Sequence, residues 1–473
     1  MTLLQRKQGG RKGKLFFLVG VLGMLSCNPT GSETQKDYPI DLITLAPGHF
    51  HAALVQKVSY PEVSPNVHVY APKGKELDSH LALIDQYNAQ ADDPTSWKEI
   101  VYEGDDYLEQ MLSDKKGNMV VLAGNNRHKI DYLVKSVDAG MNVLSDKPVI
   151  IHSKDFPKLE QAFITAREQG VLVYDIMTER YEVNTMLQRD FSQQQELFGS
   201  LVNGSEQEPA ITKESVHHFF KEVSGNPLVR PDWFYDTQQQ GEGIVDVTTH
   251  LVDLVQWESF PDQKLDYLKD IELVSSKRWP TMLSKEQFQK STSSDQYPGF
   301  LEDAVDQNGD LKVYANGEIN FKIKGVHAQV SVIWNFQAPE GAGDTHYSIM
   351  RGEKANLIIR QGEEEGFKPV LYVESTGVLT DAEFGEALQG AVDGLSSKYA
   401  GLGIELQKEG SYKVFFDPSI NTTHEEHFGE VTQKYLGFIT GEKEVPNWEI
   451  PNMLAKYYLT TKALDEAETV DKP

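Results

Sequence analysis

The chain has one cysteine, Cys27, in 473 residues. It therefore has no partner for an intramolecular disulfide and no set of thiolates to hold a metal. Positive charge is also scarce: 45 Lys and Arg stand against 71 Asp and Glu, a formal net charge of −26. That balance argues against nucleic acid as a partner, because phosphate binding needs a basic face. The apolar run LFFLVGVLGML (Leu15–Leu25) falls short of the ~20 residues that cross a bilayer. What remains is ordinary globular material, 39% hydrophobic and 10% aromatic, on a chain long enough for two domains.

The N-terminus reads differently from the rest. Arg6, Lys7, Arg11, Lys12 and Lys14 precede the apolar run, and Ser26 and Cys27 follow it. A basic segment, a short apolar core and a small residue are the layout of a secretory signal. Met24-Leu25-Ser26-Cys27 resembles a bacterial lipobox, which makes Cys27 the lipidated first residue of an exported, membrane-anchored protein. An ordinary signal peptide with a chance cysteine would look similar. No Arg-Arg pair is present, so export of an unfolded chain is expected. The domain reading is a signal over 1–27, a flexible tether over 28–38, a first domain over 39–176 and a second over 177–473.

From Pro39 onward, short apolar runs alternate with helical patterns. IDLITL (Ile40–Leu45), VHVY (Val67–Tyr70), IVY (Ile100–Tyr102), MVVLAG (Met119–Gly124), NVLS (Asn142–Ser145) and VLVYDI (Val171–Ile176) read as strands. Helices are expected over 129–139 and 155–168, with an amphipathic stretch over 51–58. Buried strands alternating with crossover helices give an α/β, doubly wound parallel sheet of the Rossmann type. A dinucleotide-binding sheet of this kind usually ends its first strand in a glycine-rich loop. Here the loop is APGHFHAAL, with Gly48 at the turn and His49, Phe50 and His51 after it. A helix start there still offers N–H groups to an anion. After the second strand, Lys73 stands where a carboxylate would normally take the ribose hydroxyls. It suits a 2′-phosphate, though a solvated lysine would look the same.

Two further segments lie at the carboxyl edge of this sheet. AGNNRHK places Asn125 and His128 there, and SDKPVII places Asp146 and Lys147 there. Pro148 keeps Lys147 out of helical geometry, at the sheet edge, where a lysine can hydrogen-bond a hydroxyl and exchange its proton. Farther along, GEGIVDVTTHLVDLVQW (241–257) reads as a glycine turn entering a helix. Asp246, His250 and Asp253 recur on one face of it, with apolar residues covering the rest. A carboxylate one turn from an imidazole orients the ring for acid–base work. A buried Asp–His pair that only ties the helix down would give the same spacing.

Taken together, Asn125–His128, Asp146-Lys147-Pro148 and Gly241…Gly243…Asp246…His250 resemble the glucose–fructose oxidoreductase, inositol dehydrogenase and MocA family. The resemblance covers about Pro39 to Trp257. The chain is closer still to a Bacteroidota branch of exported oxidoreductases that share the P-G-H-F-H-A loop. It departs from the family pattern in the eroded glycine loop, in Asp146 where glutamate is usual, and in Glu242 at the middle glycine. The resemblance implies a Rossmann domain followed by an α+β domain with an open, mainly antiparallel sheet. It also implies NAD or NADP bound by Gly48, His49, Phe50, His51, Lys73, Asn125, His128, Asp146, Lys147 and Arg180. Arg180 and Tyr181 fall where the family lines the nicotinamide and substrate pocket.

In the second domain, SLVNGSEQ (200–207) and TKESVHHFFKEV (212–223) read as strands, with His217 and His218 between them. LKVYANGEINFKI reads as a hairpin turning at Asn316-Gly317, VHAQVSVIWNFQ as a long strand, and residues 450–468 as a C-terminal helix. Arg230, Trp233, Phe234 and Tyr235 suit sugar rings, whose C–H faces stack on aromatics. His217 or His218 with Asp246 and His250 could supply metal ligands, but no ligand-spacing motif supports it, and no metal is expected. The expected substrate is a sugar or glycoside held by Lys147, Tyr181, His218, Arg230, Trp233, Asp246 and His250. Lys147 and His250 would handle a hydroxyl proton, with Asp246 orienting His250. Two alternatives keep the same scaffold: a keto-sugar lyase, hydrolase or epimerase (or a glycosidase with retained NAD), and a non-enzymatic carbohydrate-binding lipoprotein. The open sheet of the second domain offers a face for a homo-oligomer.

Overall fold

The computed structural model describes residues 37–223, 226–339 and 342–471. The basic segment, the apolar run and Cys27 lie outside these residues, as does the tether up to residue 36. Among the described residues no helix is long and apolar enough to cross a membrane.

The first sheet is built from β1 (Leu42–Leu45), β2 (Asn66–Ala71), β3 (Lys98–Glu103), β4 (Met119–Leu122), β5 (Asn142–Ser145) and β6 (Val173–Asp175). All pair in parallel, in the order β3-β2-β1-β4-β5-β6. β1, β4 and β6 are buried along their whole length, as a parallel sheet covered on both faces requires. β3 is an edge strand with no fully buried residue, which is why its sequence signal is weak. The helices of this layer are α1 (His51–Leu54), α2 (Lys75–Ala89), α3 (Tyr107–Asp114), α4 (Asn126–Asp138) and α5 (Phe156–Gln169).

The second sheet contains β7 (Ile211–Phe220), β10 (Ile271–Leu283), β11 (Leu311–Ile323), β12 (Val326–Gln337), β13 (Thr345–Arg351), β14 (Ala355–Arg360), β15 (Val370–Ser375), β16 (Gly403–Lys408), β17 (Ser411–Phe415) and β18 (Glu468–Thr469). β8 (Glu222–Val223) and β9 (Asn226–Pro227) pair as a small ribbon. The order in the large sheet is β16-β17-β15-β14-β13-β7-β12-β11-β10-β18. Neighbours are antiparallel except β7 with β12 and β10 with β18. The remaining helices are α6 (Val183–Ser192), α7 (Thr248–Ser259), α8 (Lys285–Thr292), α9 (Asp381–Leu395), α10 (His424–Ile439) and α11 (Glu449–Glu466). The architecture is therefore the expected Rossmann-like sheet followed by a mainly antiparallel one. α10 turns back to the first sheet, where Phe428, Val431, Tyr435 and Leu436 join its core.

Three local expectations are corrected. Residues 200–207 form no strand beyond isolated bridges at Leu201 and Gly204. His217 and His218 lie inside β7 rather than between two strands. Asn316-Gly317 is not a turn but the middle of β11, and the hairpin turns at Lys324 and Gly325, both at positive φ. Asn316 instead spends its side chain inside the sheet, donating to Trp279 O and Thr281 Oγ1 and accepting from Trp334 N. Gly317 leaves room for the segment entering α7: a Cβ there would lie 2.7 Å from Ile244 Cβ. The same segment comes closer still at Gly243, where a Cβ would lie 1.7 Å from Ala315 O. These close approaches seat the glycine turn against the second sheet and aim it at the first.

Candidate functional site

The carboxyl edge of the first sheet faces the glycine turn, α7 and the second sheet across a cleft of about 1240 Å³. The first sheet's side contributes His49, Phe50, His51, Asp146 and Lys147. Asp246, Val247 and His250 come from the turn and α7, and Arg230, Phe234 and Trp334 from the second sheet's side. Lys147 and Asp246 meet directly: Lys147 Nζ donates to Asp246 Oδ1 at 2.6 Å. Gln240 Nε2 donates to the other oxygen at 3.0 Å, so the carboxylate is fixed from both sides. This contact joins two residues 99 positions apart and largely shielded from solvent.

Asp246 does not orient His250 as expected. It precedes α7 in the turn, so the helical spacing that would stack it over His250 is not formed. His250 Nδ1 is buried, with no hydrogen-bond partner among the described residues. Burial, and then the Lys147 ammonium, hold this imidazole well below its ordinary pKa, hence neutral near pH 7. Asp253, the third residue of the expected stripe, turns away from the cleft. It takes two hydrogen bonds from Arg180, at 2.6 and 2.7 Å, and one from Lys456 at 2.8 Å.

Arg180 is accordingly not a cofactor ligand in this geometry. It is buried between Asp253 and Glu449, 3.0 Å from the latter, and its guanidinium lies over Trp448. Tyr181 packs near His427, outside the cleft lining. Asn125 caps α4, accepting from Arg127 N and donating to Gln239, while its neighbour Asn126 reaches the cleft. His128 is exposed beside Tyr132. Lys73 is exposed and paired with Glu103 at 3.2 Å. Trp233 is buried in an aromatic cluster, and its ring approaches the Gly48 loop.

Arg230 does reach the cleft. Its Nε donates to Phe219 O at 2.6 Å and an Nη to His218 O at 2.9 Å, and the guanidinium lies 4.3 Å from the Phe234 ring. His218 sits behind it, with Nδ1 3.1 Å from Asp344 Oδ1. His217 Nδ1 is 3.1 Å from Asp344 Oδ2, and Lys221 Nζ donates to that oxygen at 2.5 Å. Burial opposes ionisation of Asp344, but these cationic and donor groups outweigh it and hold the carboxyl below its usual range. His217 and His218 therefore serve Asp344 and do not join Asp246 and His250 as metal ligands.

The Gly48 loop is shaped by its own bonds. Gly48 N and His49 N both donate to Ala123 O, so these two N–H groups are unavailable to an anion. α1 is a single turn, shorter than the expected stretch over 51–58. His51 packs against Phe428 of α10, with ring centroids 4.6 Å apart, and its Nδ1 lies 2.9 Å from Asp146 Oδ2. His49 Nδ1 lies 4.0 Å from the same oxygen. Burial opposes ionisation of Asp146, but His51, Lys129 and His49 together hold it as a carboxylate.

Sequence reading missed Glu179, Lys221, Trp334, Asp344, His346 and His424, all of which line the cleft. Glu179 faces His424 at 3.6 Å, and burial followed by Glu182 pushes its carboxyl up to about 7. No local pattern links residues 51, 179, 344 and 424; only the fold brings them together.

The family model described as "Putative oxidoreductase C terminal domain" matches residues 187–468. A solved structure, a "putative oxidoreductase" from Parabacteroides merdae, is 53% identical, with 91% of this chain and 97% of that one covered and a TM-score of 0.89. KijD10, a 3-ketoreductase from Actinomadura kijaniata solved with NADP and TDP-benzene, is 12% identical (92% and 100% covered, TM-score 0.54). GenD2 from gentamicin A biosynthesis, solved with NAD, is 13% identical (91% and 95% covered, TM-score 0.55). These two distant structures share the fold. No match was found among curated proteins. With the family model covering more than half of the chain and a relative sharing more than half of the aligned sequence, this protein belongs to the family that this model describes and is an oxidoreductase, and its fold fits the resemblance to the glucose–fructose oxidoreductase, inositol dehydrogenase and MocA family.

Proposed function

We propose that this oxidoreductase oxidises or reduces a secondary alcohol of a sugar or glycoside, with NAD or NADP as the hydride carrier. The observation that carries the reading is the 2.6 Å contact of Lys147 with Asp246, in the same cleft as a neutral His250. Removing hydride from an alcohol carbon requires its O–H proton to leave as charge builds on oxygen. Neutral His250 can accept that proton, and the Lys147 ammonium, positioned by Asp246, can hydrogen-bond the developing oxyanion. Phe234 and Trp334 offer faces to a sugar ring, and the Arg230 guanidinium lines the cleft beside them, where it can meet the ring's polar groups.

The cleft fits the nicotinamide cofactor at its reactive end, because Lys147 and His250 flank one space at the carboxyl edge of the sheet. At the phosphate end, His49 and His51 would make the contacts that backbone N–H groups usually make, since Gly48 N and His49 N are already bonded. The cofactor supplies the hydride acceptor or donor; the residues named here bind and orient the alcohol and move its proton. We further propose export and lipid anchoring through Cys27, and pairing of two copies through the open second sheet. A Cys27→Ser variant that stays membrane-bound and acylated would remove the lipid anchor from this account. The function itself is tested by following cofactor absorbance over a panel of neutral and acidic glycosides. Oxidation of at least one, with a primary isotope effect from deuterium at the reacting carbon, is expected; no turnover of any sugar would overturn it.

A further inference from the structure

His51 and Asp146, two departures from the family pattern at separate points of the chain, are neighbours in space, and His49 completes a cluster with them. His51 Nδ1 lies 2.9 Å and His49 Nδ1 4.0 Å from Asp146 Oδ2, and the three donor atoms all fall within 4.8 Å of one another. A zinc-class ion held at ~2.0–2.2 Å needs its donors roughly 3–3.5 Å apart. Closing that difference requires His49 Nδ1 to move toward Asp146 Oδ2, from which it lies 4.0 Å. Among the described residues, the hydrogen bond that His49 Nδ1 accepts is a long one, 3.4 Å from His51 N, and a metal ion would compete with a weak donor.

The rest of the cluster is already fixed. Asp146 is buried; its backbone oxygen accepts from Lys129 Nζ and its Oδ1 from Lys147 N, each at 2.9 Å, which leaves Oδ2 to the imidazoles. The His51 ring is wedged between Phe50 and Phe428, at 4.5 and 4.6 Å. All three residues line the cleft, so the open side of the cluster faces it. The second histidine–carboxylate cluster, around Asp344, differs in one decisive respect. There Lys221 Nζ already occupies the carboxylate at 2.5 Å, and a cation has no vacancy.

We propose that His49, His51 and Asp146 form a site for one divalent transition-metal ion of the zinc class. Two imidazoles and one carboxylate suit such an ion better than magnesium or calcium, which prefer all-oxygen shells. The remaining coordination positions face the cleft and take an oxygen ligand, whether phosphate or hydroxyl. The site does not depend on the redox reading of the cleft.

The test is titration of metal-stripped, full-length protein with Co²⁺, followed by its visible ligand-field absorption and by displacement with Zn²⁺. One ion per chain is expected, with affinity falling about 100-fold or more in His51→Ala and in Asp146→Asn, beyond what outer-shell losses cause. His49→Gln serves if Asp146→Asn fails to fold by circular dichroism. His217→Ala, which disturbs the other histidine cluster, should bind as the parent does. Absence of a ligand-field band, or equal affinity in the His49, His51 and Asp146 variants, would overturn the proposal.

Discussion

The ammonium of Lys147, at the end of one sheet's fifth strand, lies 2.6 Å from the carboxylate of Asp246, in the glycine turn that leads into α7. This pair spans the cleft and ties the position of Lys147 to the glycine turn. Lys147→Met should lower turnover by ~10²–10³-fold, the usual cost of removing one donor to a developing oxyanion. Asp246→Asn should lower it less, by leaving the lysine present but poorly aimed. Steady-state kinetics on circular-dichroism-matched variants checks both; equal loss in the two, with altered thermal stability, would point to a structural role.

His250 is held neutral by burial and by the Lys147 charge. The acid limb of the pH profile of kcat/KM should therefore lie below pH 6.5, the ordinary imidazole value. In Lys147→Met that limb should move up, since one of the causes of the depression is gone. His250→Ala should lower kcat/KM by ~10²–10⁴-fold and abolish the limb.

Arg180 is expected to matter for stability rather than for ligand binding. It is enclosed by Asp253 and Glu449, and removing one partner of a buried ionic network typically costs about 3–5 kcal/mol. Arg180→Met should thus unfold at clearly lower denaturant concentration, while KM in the surviving folded enzyme stays close to the parent value.

How much of this was legible in the sequence differs by element. The buried strands of the first sheet announced themselves because a strand covered on both faces is apolar throughout, as in LITL and MVVL. The motif residues Lys147, Asp246 and His250 were legible too: Lys147 stands beside Pro148, and Asp246 and His250 follow the glycine turn of Gly241 and Gly243. The roles read from helical spacing were not: Asp246 precedes the helix, and Asp253 answers to Arg180 and Lys456, 73 and 203 residues away. Asn316-Gly317 has the composition of a turn, yet glycine serves there as clearance for Ile244. The shell of His346, His424 and Asp344 is assembled only by long-range topology, so no window of sequence could show it.

His80 gives a prediction about acid stability. It is buried in α2, with neither ring nitrogen partnered among the described residues, and burial lowers its pKa to about 4 from 6.5. As pH falls, the unfolded chain takes up this proton first, so folding stability is lost between pH 6.5 and about 4. The slope should be ~1.4 kcal/mol per pH unit, about 3 kcal/mol in all. His80→Leu should flatten that part of the stability profile, measured by urea unfolding at several pH values.

The measurement that tests the central claim most directly is the cofactor content of the purified, full-length protein. Denaturation followed by mass spectrometry of the supernatant, with calorimetric titration of NAD(H) and NADP(H) into the native protein, covers both tight and exchangeable binding. One nicotinamide dinucleotide per chain is expected, either released on denaturation or bound on titration. Protein that releases none and binds neither would contradict it.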